Sequence, residues 1–165
     1  MLKKFYFSVL FGLAVTLTAC GESSSSSVSG NFPEGGYSEY SCEVTDGVDS
    51  DGTIWVQLKL NVPNRFGQLQ KRSLKKDGTE LNYWEKTYYN LNSQMKKMMC
   101  EEFEEDVKQD LQRENNGIED YACGNGVEYV HYKGQTERKN LDSAKESFEE
   151  DCEDFQRKKD EGDLD

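Results

Sequence analysis

Four cysteines in the body of this chain are enough to form two disulfides. They are Cys42, Cys100, Cys123 and Cys152. An even number of thiols favours two disulfides when a chain begins with an export signal, because the compartment outside the cytoplasm is oxidising. A metal site is disfavoured, since no two of them form a C-x-x-C pair and the only histidine is His131. The sequence predicts two disulfides, no metal and no cofactor, and leaves all three pairings open.

The first 19 residues have the composition of an export signal. Lys3 and Lys4 precede an apolar run over residues 5–17, and small residues precede Cys20. An uncleaved transmembrane helix is the alternative. It is disfavoured because crossing a bilayer takes roughly 20 apolar residues, whereas the polar segment 21–30 follows this run almost at once.

The tetrapeptide Leu17-Thr18-Ala19-Cys20 resembles the lipobox of bacterial lipoproteins. The resemblance implies that the signal is cleaved before Cys20, that the Cys20 sulfur receives a diacylglycerol, and that the new amino terminus receives a fatty acid such as palmitate. It makes the membrane a partner through a lipid anchor. In this family an aspartate after the cysteine is associated with the inner membrane, so Gly21 implies the outer membrane, at its periplasmic or surface face. The resemblance covers residues 1 to 22 and concerns processing only.

Composition divides the rest of the chain into three parts. Residues 20–36 form a lipidated cysteine followed by a tether rich in serine and glycine, which as a flexible coil spans roughly 20–25 Å. Residues 37–158 are expected to form one domain with a single core. The polar residues 159–165 are expected to form a frayed acidic tail.

The charge of the chain excludes one class of partner. The sequence has 20 basic and 32 acidic residues, and removal of Lys3 and Lys4 with the signal brings the net charge to −14. A polyanion repels phosphate backbones, so nucleic acid is not an expected partner. Acidic clusters such as residues 101–106 and 149–154 are interpreted as solvated helix faces rather than cation sites.

No catalytic motif is present in the sequence. It has no G-x-S-x-G, H-E-x-x-H or glycine-rich phosphate loop, and carboxylate pairs are expected by chance among so many acids. Residues 46–52 partly match a calcium loop, but Gly47 and Leu58 occupy two essential ligand positions, which favours a hydrated turn. His131 is interpreted as a strand residue rather than a general base. We therefore expect no enzyme activity and no catalytic residue.

Three aromatic residues are the candidate binding residues. Trp55, Trp84 and Tyr88 fall on the expected outward sides of their strands, and flat aromatic faces stack on sugars or on protein partners. The hypothesis is that they lie together on the wet face of one sheet. The alternative is that a loop, the linker or a helix covers them.

Period-two alternation predicts most of the strands. It is clearest over residues 54–62, and weaker over residues 40–44. Asp77-Gly78 suits a hairpin turn between residues 68–76 and 79–89, of which the charged first arm is interpreted as an edge strand. A second hairpin is predicted over residues 118–123 and 127–133, around residues 124–126.

Two amphipathic helices are predicted from apolar residues at three- and four-residue steps. The first begins near Asn92 and ends before Gly117, and its core-facing stripe is Met95, Met99, Phe103, Val107 and Leu111. The second carries Leu141, Ala144, Phe148, Cys152 and Phe155, with Ser143 and Glu146 at capping-box spacing. Each helix presents one cysteine to the interior.

Together these elements predict an α+β fold, a small antiparallel sheet with two amphipathic helices packed on one face and stapled by disulfides. The expected function is that of a cell-envelope lipoprotein, a non-enzymatic binding or structural domain whose partner is an envelope protein or polysaccharide. The alternative is a hydrolase, or a hydrolase inhibitor, acting on extracellular polymer. A deep pocket with convergent carboxylates would favour that alternative.

Overall fold

The computed structural model describes residues 30–113 and 117–164. Six strands form one antiparallel sheet in the order β1-β2-β3-β4-β6-β5, which agrees with the predicted α+β class. The elements in chain order are β1 (Ser41–Val48), β2 (Ile54–Val62), β3 (Phe66–Leu74), β4 (Thr79–Tyr88), α1 (Ser93–Leu111), β5 (Ile118–Gly124), β6 (Val127–Gln135) and α2 (Asp142–Glu161). Among the described residues, no helix is long and apolar enough to span a membrane.

Both predicted hairpin turns are present, and their local chemistry explains them. Gly78 has a φ of 82°, and the Asp77 carboxylate accepts a hydrogen bond of 2.9 Å from the backbone N–H of Thr79. Asn125 and Gly126 have φ values of 56° and 86°, the left-handed pair that a two-residue type I′ turn requires. These turns fix the β3–β4 and β5–β6 pairings.

The prediction that the charged strand of the first hairpin lies at an edge is wrong. β3 pairs with β2 on one side and with β4 on the other, and the edges are β1 and β5. Charge is tolerated there because the long side chains of β3 lie against rings. The Lys71 ammonium is 4.8 Å from the Trp55 ring centre, and the Arg72 guanidinium is 5.9 Å from that of Phe148.

One register row crosses the whole sheet and defines its two sides. Facing residues in an antiparallel sheet point the same way, so the side that carries Cys42 also carries Cys123. We call this side the cysteine face and the other side the opposite face. The row is Cys42, Leu60, Gln68, Lys86, Glu128 and Cys123.

The two disulfides join these strand cysteines to the helices. Cys42 of β1 is bonded to Cys152 of α2, and Cys123 of β5 is bonded to Cys100 of α1. The prediction of two disulfides is confirmed, and the structure selects one of the three pairings that the sequence left open.

Helix α2 is held by apolar packing as well as by its disulfide. Leu141, Ala144 and Phe148 are buried in one cluster with Val56, Leu58 and Leu74 of the sheet. The predicted capping box is wrong, because Leu141 occupies the N-cap position and no side chain bonds the first turn. The helix continues to Glu161 before Gly162 adopts a left-handed conformation, so the expected tail boundary at residue 158 is too early.

Helix α1 is much less buried. Its start agrees with the prediction, since the Asn92 side chain accepts a hydrogen bond of 2.9 Å from the Met95 N–H. Its stripe was expected to face the core, but Val107 is its only buried residue. Met95 and Leu111 are 50% and 41% exposed, so the prediction is wrong at both ends of the stripe.

The segment before β1 lies against the opposite face. Phe32 is buried with Leu69 and Tyr89, and Asn31 donates from its backbone N–H to the Glu85 carboxylate at 2.6 Å. Contacts with the sheet therefore begin before residue 37, where the domain was expected to start.

Candidate ligand-binding groove

A cavity of about 750 Å³ is lined by residues of the sheet and of both helices. Its volume is within the range of roughly 300–1,000 Å³ that small-molecule sites occupy. Strands β3, β4 and β6 supply the floor, α1 supplies a wall, and α2 contributes Phe148. We call this cavity the groove. It is lined by Gln70, Arg72, Asn82, Trp84, Tyr88, Glu128, Val130 and Tyr132 from the strands and by Met99, Glu102, Phe103, Asp106, Val107 and Asp110 from α1, together with Lys71, Tyr83 and Phe148.

The floor consists of neighbouring rows of the cysteine face. Trp84 faces Gln70 on one side and Val130 on the other, which places an indole in the middle of the floor. One row along, Asn82 faces Arg72 and Tyr132. The alternation of β3, β4 and β6 thus brings aromatic and polar side chains to one surface.

The α1 wall is acidic. Glu102, Asp106 and Asp110 recur every four residues, so they follow one side of the helix. Glu102 and Asp106 are exposed, as the solvated-face interpretation predicts, but they also line the groove. Phe103 and Val107 lie beside them, which gives this wall apolar as well as charged surface.

Glu128 is the one buried carboxylate of the groove within the described part of the chain. It is 6% exposed, and its Oε1 accepts a hydrogen bond of 3.0 Å from the Tyr88 hydroxyl. Burial raises the pKa of Glu128, and the nearby negative charges of Glu102 and Asp106 raise it further, although Tyr88 and Lys86 act in the other direction. Burial likewise raises the pKa of Tyr88, and Glu128 adds to that effect.

The cation nearest to Glu128 in the register does not form an ion pair with it. Lys86 faces Glu128 across the β4–β6 pair, yet its ammonium lies 4.6 Å from the Phe66 ring centre and 4.8 Å from that of Tyr88. No salt bridge joins Lys86 to Glu128 among the described residues. Burial lowers the pKa of Lys86, because its ammonium has lost part of its hydration.

Asn82 contributes an unsatisfied acceptor. Its Oδ1 is buried and has no hydrogen-bond partner in the described structure, although the residue lines the groove. A buried acceptor without a donor is costly, and in native proteins such atoms concentrate where an ion, a water or a ligand is bound.

The three candidate aromatic residues do not share a face. Trp84 and Tyr88 lie on the cysteine face and line the groove. Trp55 lies on the opposite face, over Gly47, where its Nε1 donates to the Asp49 carboxylate at 3.0 Å. The expectation that they lie together on one wet face is therefore wrong, and their role in binding remains a prediction.

The other singled-out polar residues serve the sheet and its turns. In residues 46–52, Asp49 holds Trp55, and the Asp51 carboxylate accepts a 2.8 Å hydrogen bond from the Thr53 N–H. His131 is in β6 as expected, with its ring 5.7 Å from that of Tyr83. The described residues contain no group of three or more potential metal ligands. Cys20 and the signal lie outside the described residues.

Sequence reasoning missed Glu128, Asn82 and Phe148 as groove residues. One signal in the sequence could have indicated Glu128. It alternates with Val130 and Tyr132 along β6, so all three side chains lie on the same face of the strand. Comparison of the chain with protein-family models, curated proteins and solved structures finds no match.

Proposed function

We propose that this chain is a lipid-anchored protein of the cell envelope that binds a small ligand in the groove and does not transform it. The observation that carries the proposal is the groove itself, a cavity of about 750 Å³ with an aromatic floor and an unsatisfied buried acceptor, the Oδ1 of Asn82. Concave sites lined by apolar rings with a few polar groups are the usual form of ligand sites.

The anchor in this proposal is Cys20, acylated and positioned by its lipobox at the membrane surface. The serine- and glycine-rich segment after Cys20 serves in this proposal as the tether between the anchor and the sheet. Two disulfides support an oxidising location outside the cytoplasm, since such bonds persist there.

We further propose that both helices cover the cysteine face and act as the two walls of the groove. The support is that both strand cysteines belong to one register row and each is bonded to a different helix. On this arrangement the disulfides fix the separation of the walls.

A hydrolase is the second candidate, and the acids around Glu128 favour it. A buried carboxyl with a raised pKa beside the exposed Glu102 and Asp106 is a pairing that general acid–base chemistry uses. Turnover of glycans, esters or peptides by the purified protein, lost in Glu128→Gln, would establish this candidate in place of simple binding.

The test of the binding proposal is photo-crosslinking in native envelopes. A photoreactive phenylalanine replaces Trp84 in one variant and Trp55 in a matched control, since the two positions lie on opposite faces of the sheet. We expect a crosslinked small molecule, detected by mass spectrometry of the released protein, from position 84 and not from position 55. Equal or absent labelling at both positions would refute the groove as the binding site.

The same material tests the anchor. Mass spectrometry of the protein from its native cell is expected to give an amino terminus at Cys20 that carries acyl chains. A chain that retains Met1, or an unmodified Cys20, would refute the lipoprotein part of the proposal.

A further inference from the structure

We propose that the groove is selective for an organic cation, an amine or guanidinium carried on an apolar body, with the positive group held against Glu128. This inference rests on the proposed function, because it specifies the class of ligand that the groove takes. Three features of the described structure support it.

The first feature is a buried carboxylate in the groove that has acceptor positions to spare. Glu128 is 6% exposed and receives one side-chain hydrogen bond, from Tyr88 to Oε1, while no described bond reaches its Oε2. A carboxylate has about four acceptor positions. The buried Oδ1 of Asn82 is also without a donor. An ammonium or guanidinium group is a strong donor to the open positions of the Glu128 carboxylate. Asn82 lies four residues away along β4 and is open to a second donor elsewhere on the ligand or to a water.

The second feature is that no ion pair neutralises Glu128 within the described residues. Lys86 faces it in the register but directs its ammonium to the rings of Phe66 and Tyr88. Lys86 still attracts the Glu128 carboxylate electrostatically, while Glu102 and Asp106 repel it, and the groove lining itself has four acids and two bases. The local potential is therefore negative, and a chain with a net charge of −12 attracts cations from solution as well.

The third feature is the separation of charges along the floor. Arg72 faces Asn82 across the β3–β4 pair, and Glu128 faces Lys86 across the β4–β6 pair. Asn82 and Lys86 are four residues apart in β4, so the two rows are separated by roughly 13 Å along the strand. Trp84 lies between these rows. Repulsion from Arg72 keeps the positive group of the ligand at the Glu128 end. The apolar body of the ligand then lies over the indole of Trp84, where stacking and apolar burial favour it.

The chain offers an internal control for the test, because it has two tryptophans, one in the groove and one on the opposite face. The processed protein, labelled with nitrogen-15 and held in a non-ionic detergent, gives one indole N–H signal for each, and Trp55→Phe assigns them. The probes are 2-phenylethylamine, the neutral 2-phenylethanol and the anionic 3-phenylpropionate, which share an aromatic body and differ in charge.

We expect the amine to shift the Trp84 indole signal and leave that of Trp55 unchanged. It should bind at least about tenfold more tightly than the alcohol, because hydrogen bonds to a charged group are the stronger kind. Glu128→Gln should abolish this preference. Glu105→Gln, a change at an exposed α1 residue that does not line the groove, should preserve it. An unchanged Trp55 signal verifies that each variant is folded.

Equal binding of amine and alcohol at Trp84 would overturn the cation selectivity and leave the groove as a binding site. Preference for the propionate would overturn it too, and would assign the charged contact to Arg72. A preference for the amine that survives in Glu128→Gln would refute the role of that carboxylate. If no probe shifts Trp84, the inference fails, and the crosslinking at position 84 decides separately whether the groove binds anything.

Discussion

We expect one disulfide to contribute more to the free energy of unfolding and the other to matter more for the groove. The Cys42–Cys152 bond closes a loop with a sequence separation of 110, and the Cys100–Cys123 bond closes one of 23. If each bond acts by restricting the unfolded chain, the first contributes about 4.8 kcal/mol and the second about 3.4 kcal/mol at 25 °C. The shorter loop lies within the longer one, which lowers the first value by only about 0.2 kcal/mol.

The effect on the attached helix should be larger for the Cys100–Cys123 bond than for the Cys42–Cys152 bond. Leu141, Ala144 and Phe148 continue to hold α2 when its disulfide is absent, because they are buried in the core. Val107 is the only buried residue of α1, and the main strand contact of that helix is with β5, so α1 depends on its disulfide. Loss of the weaker bond should therefore release the acidic wall of the groove.

The assay compares two double variants, Cys42→Ala with Cys152→Ala and Cys100→Ala with Cys123→Ala. Urea unfolding should give the larger loss of unfolding free energy for the first pair, by about 1 kcal/mol. Hydrogen exchange of α1 amides should accelerate strongly in the second pair only. Unchanged α1 protection in the second pair, or equal acceleration in both, would refute the claim that a disulfide holds this wall. A reversed order of stability would refute the loop-entropy estimate.

Three further predictions concern single residues. Asn31→Ala should lower the unfolding free energy by about 1.5–3 kcal/mol, because it removes the side-chain N–H that donates to the buried Glu85 carboxylate, while the backbone donor remains. Limited proteolysis should then cleave near residues 30–36, and resistance equal to that of the unchanged protein would contradict this contact. Gly67→Ala should lower the free energy of unfolding, measured in a urea titration, by about 1–3 kcal/mol, because a Cβ there would lie 2.4 Å from the Phe32 ring. An unchanged free energy would mean that the segment before β1 does not cover the opposite face of the sheet. Glu128→Gln should stabilise the protein at pH 7 but not below pH 4.5, the ordinary pKa of a glutamate. The pKa of Glu128 is raised in the folded state, so ionisation of this carboxyl above that pH destabilises the fold, and glutamine removes the ionisation. An equal difference in urea midpoint between the variant and the unchanged protein at pH 4 and pH 7 would contradict the raised pKa.

The secondary structure was predictable where local chemistry decides it. The apolar alternation of β2 gives the predicted bounds Ile54–Val62, and turn residues such as Asp77-Gly78 and Asn125-Gly126 place the hairpins. The start of α1 follows from the cap that Asn92 provides. In each case the determining residues are within a few positions of the feature they specify.

The groove was not predictable in the same way, because both faces of the sheet are covered. Tyr83 of β4 and Tyr89, the residue directly after β4, lie against the segment that carries Phe32, while Trp84 and Tyr88 line the groove. An alternating strand has two faces, and composition alone could not say which one carries the groove. Trp84 was therefore expected beside Trp55, although the two lie on opposite faces.

The sequence by itself determined the number and kind of the elements, the acidity of the chain and the even set of cysteines for two disulfides. Its first residues also resemble a lipoprotein signal, a feature that can be read without any fold. Only the tertiary structure decided the cysteine pairing, the central position of β3, and the meeting of Glu128, Asn82 and Trp84 in one groove. The physical reason is that strand register and helix docking depend on residues far apart in the chain, whereas alternation, turns and caps depend on near neighbours.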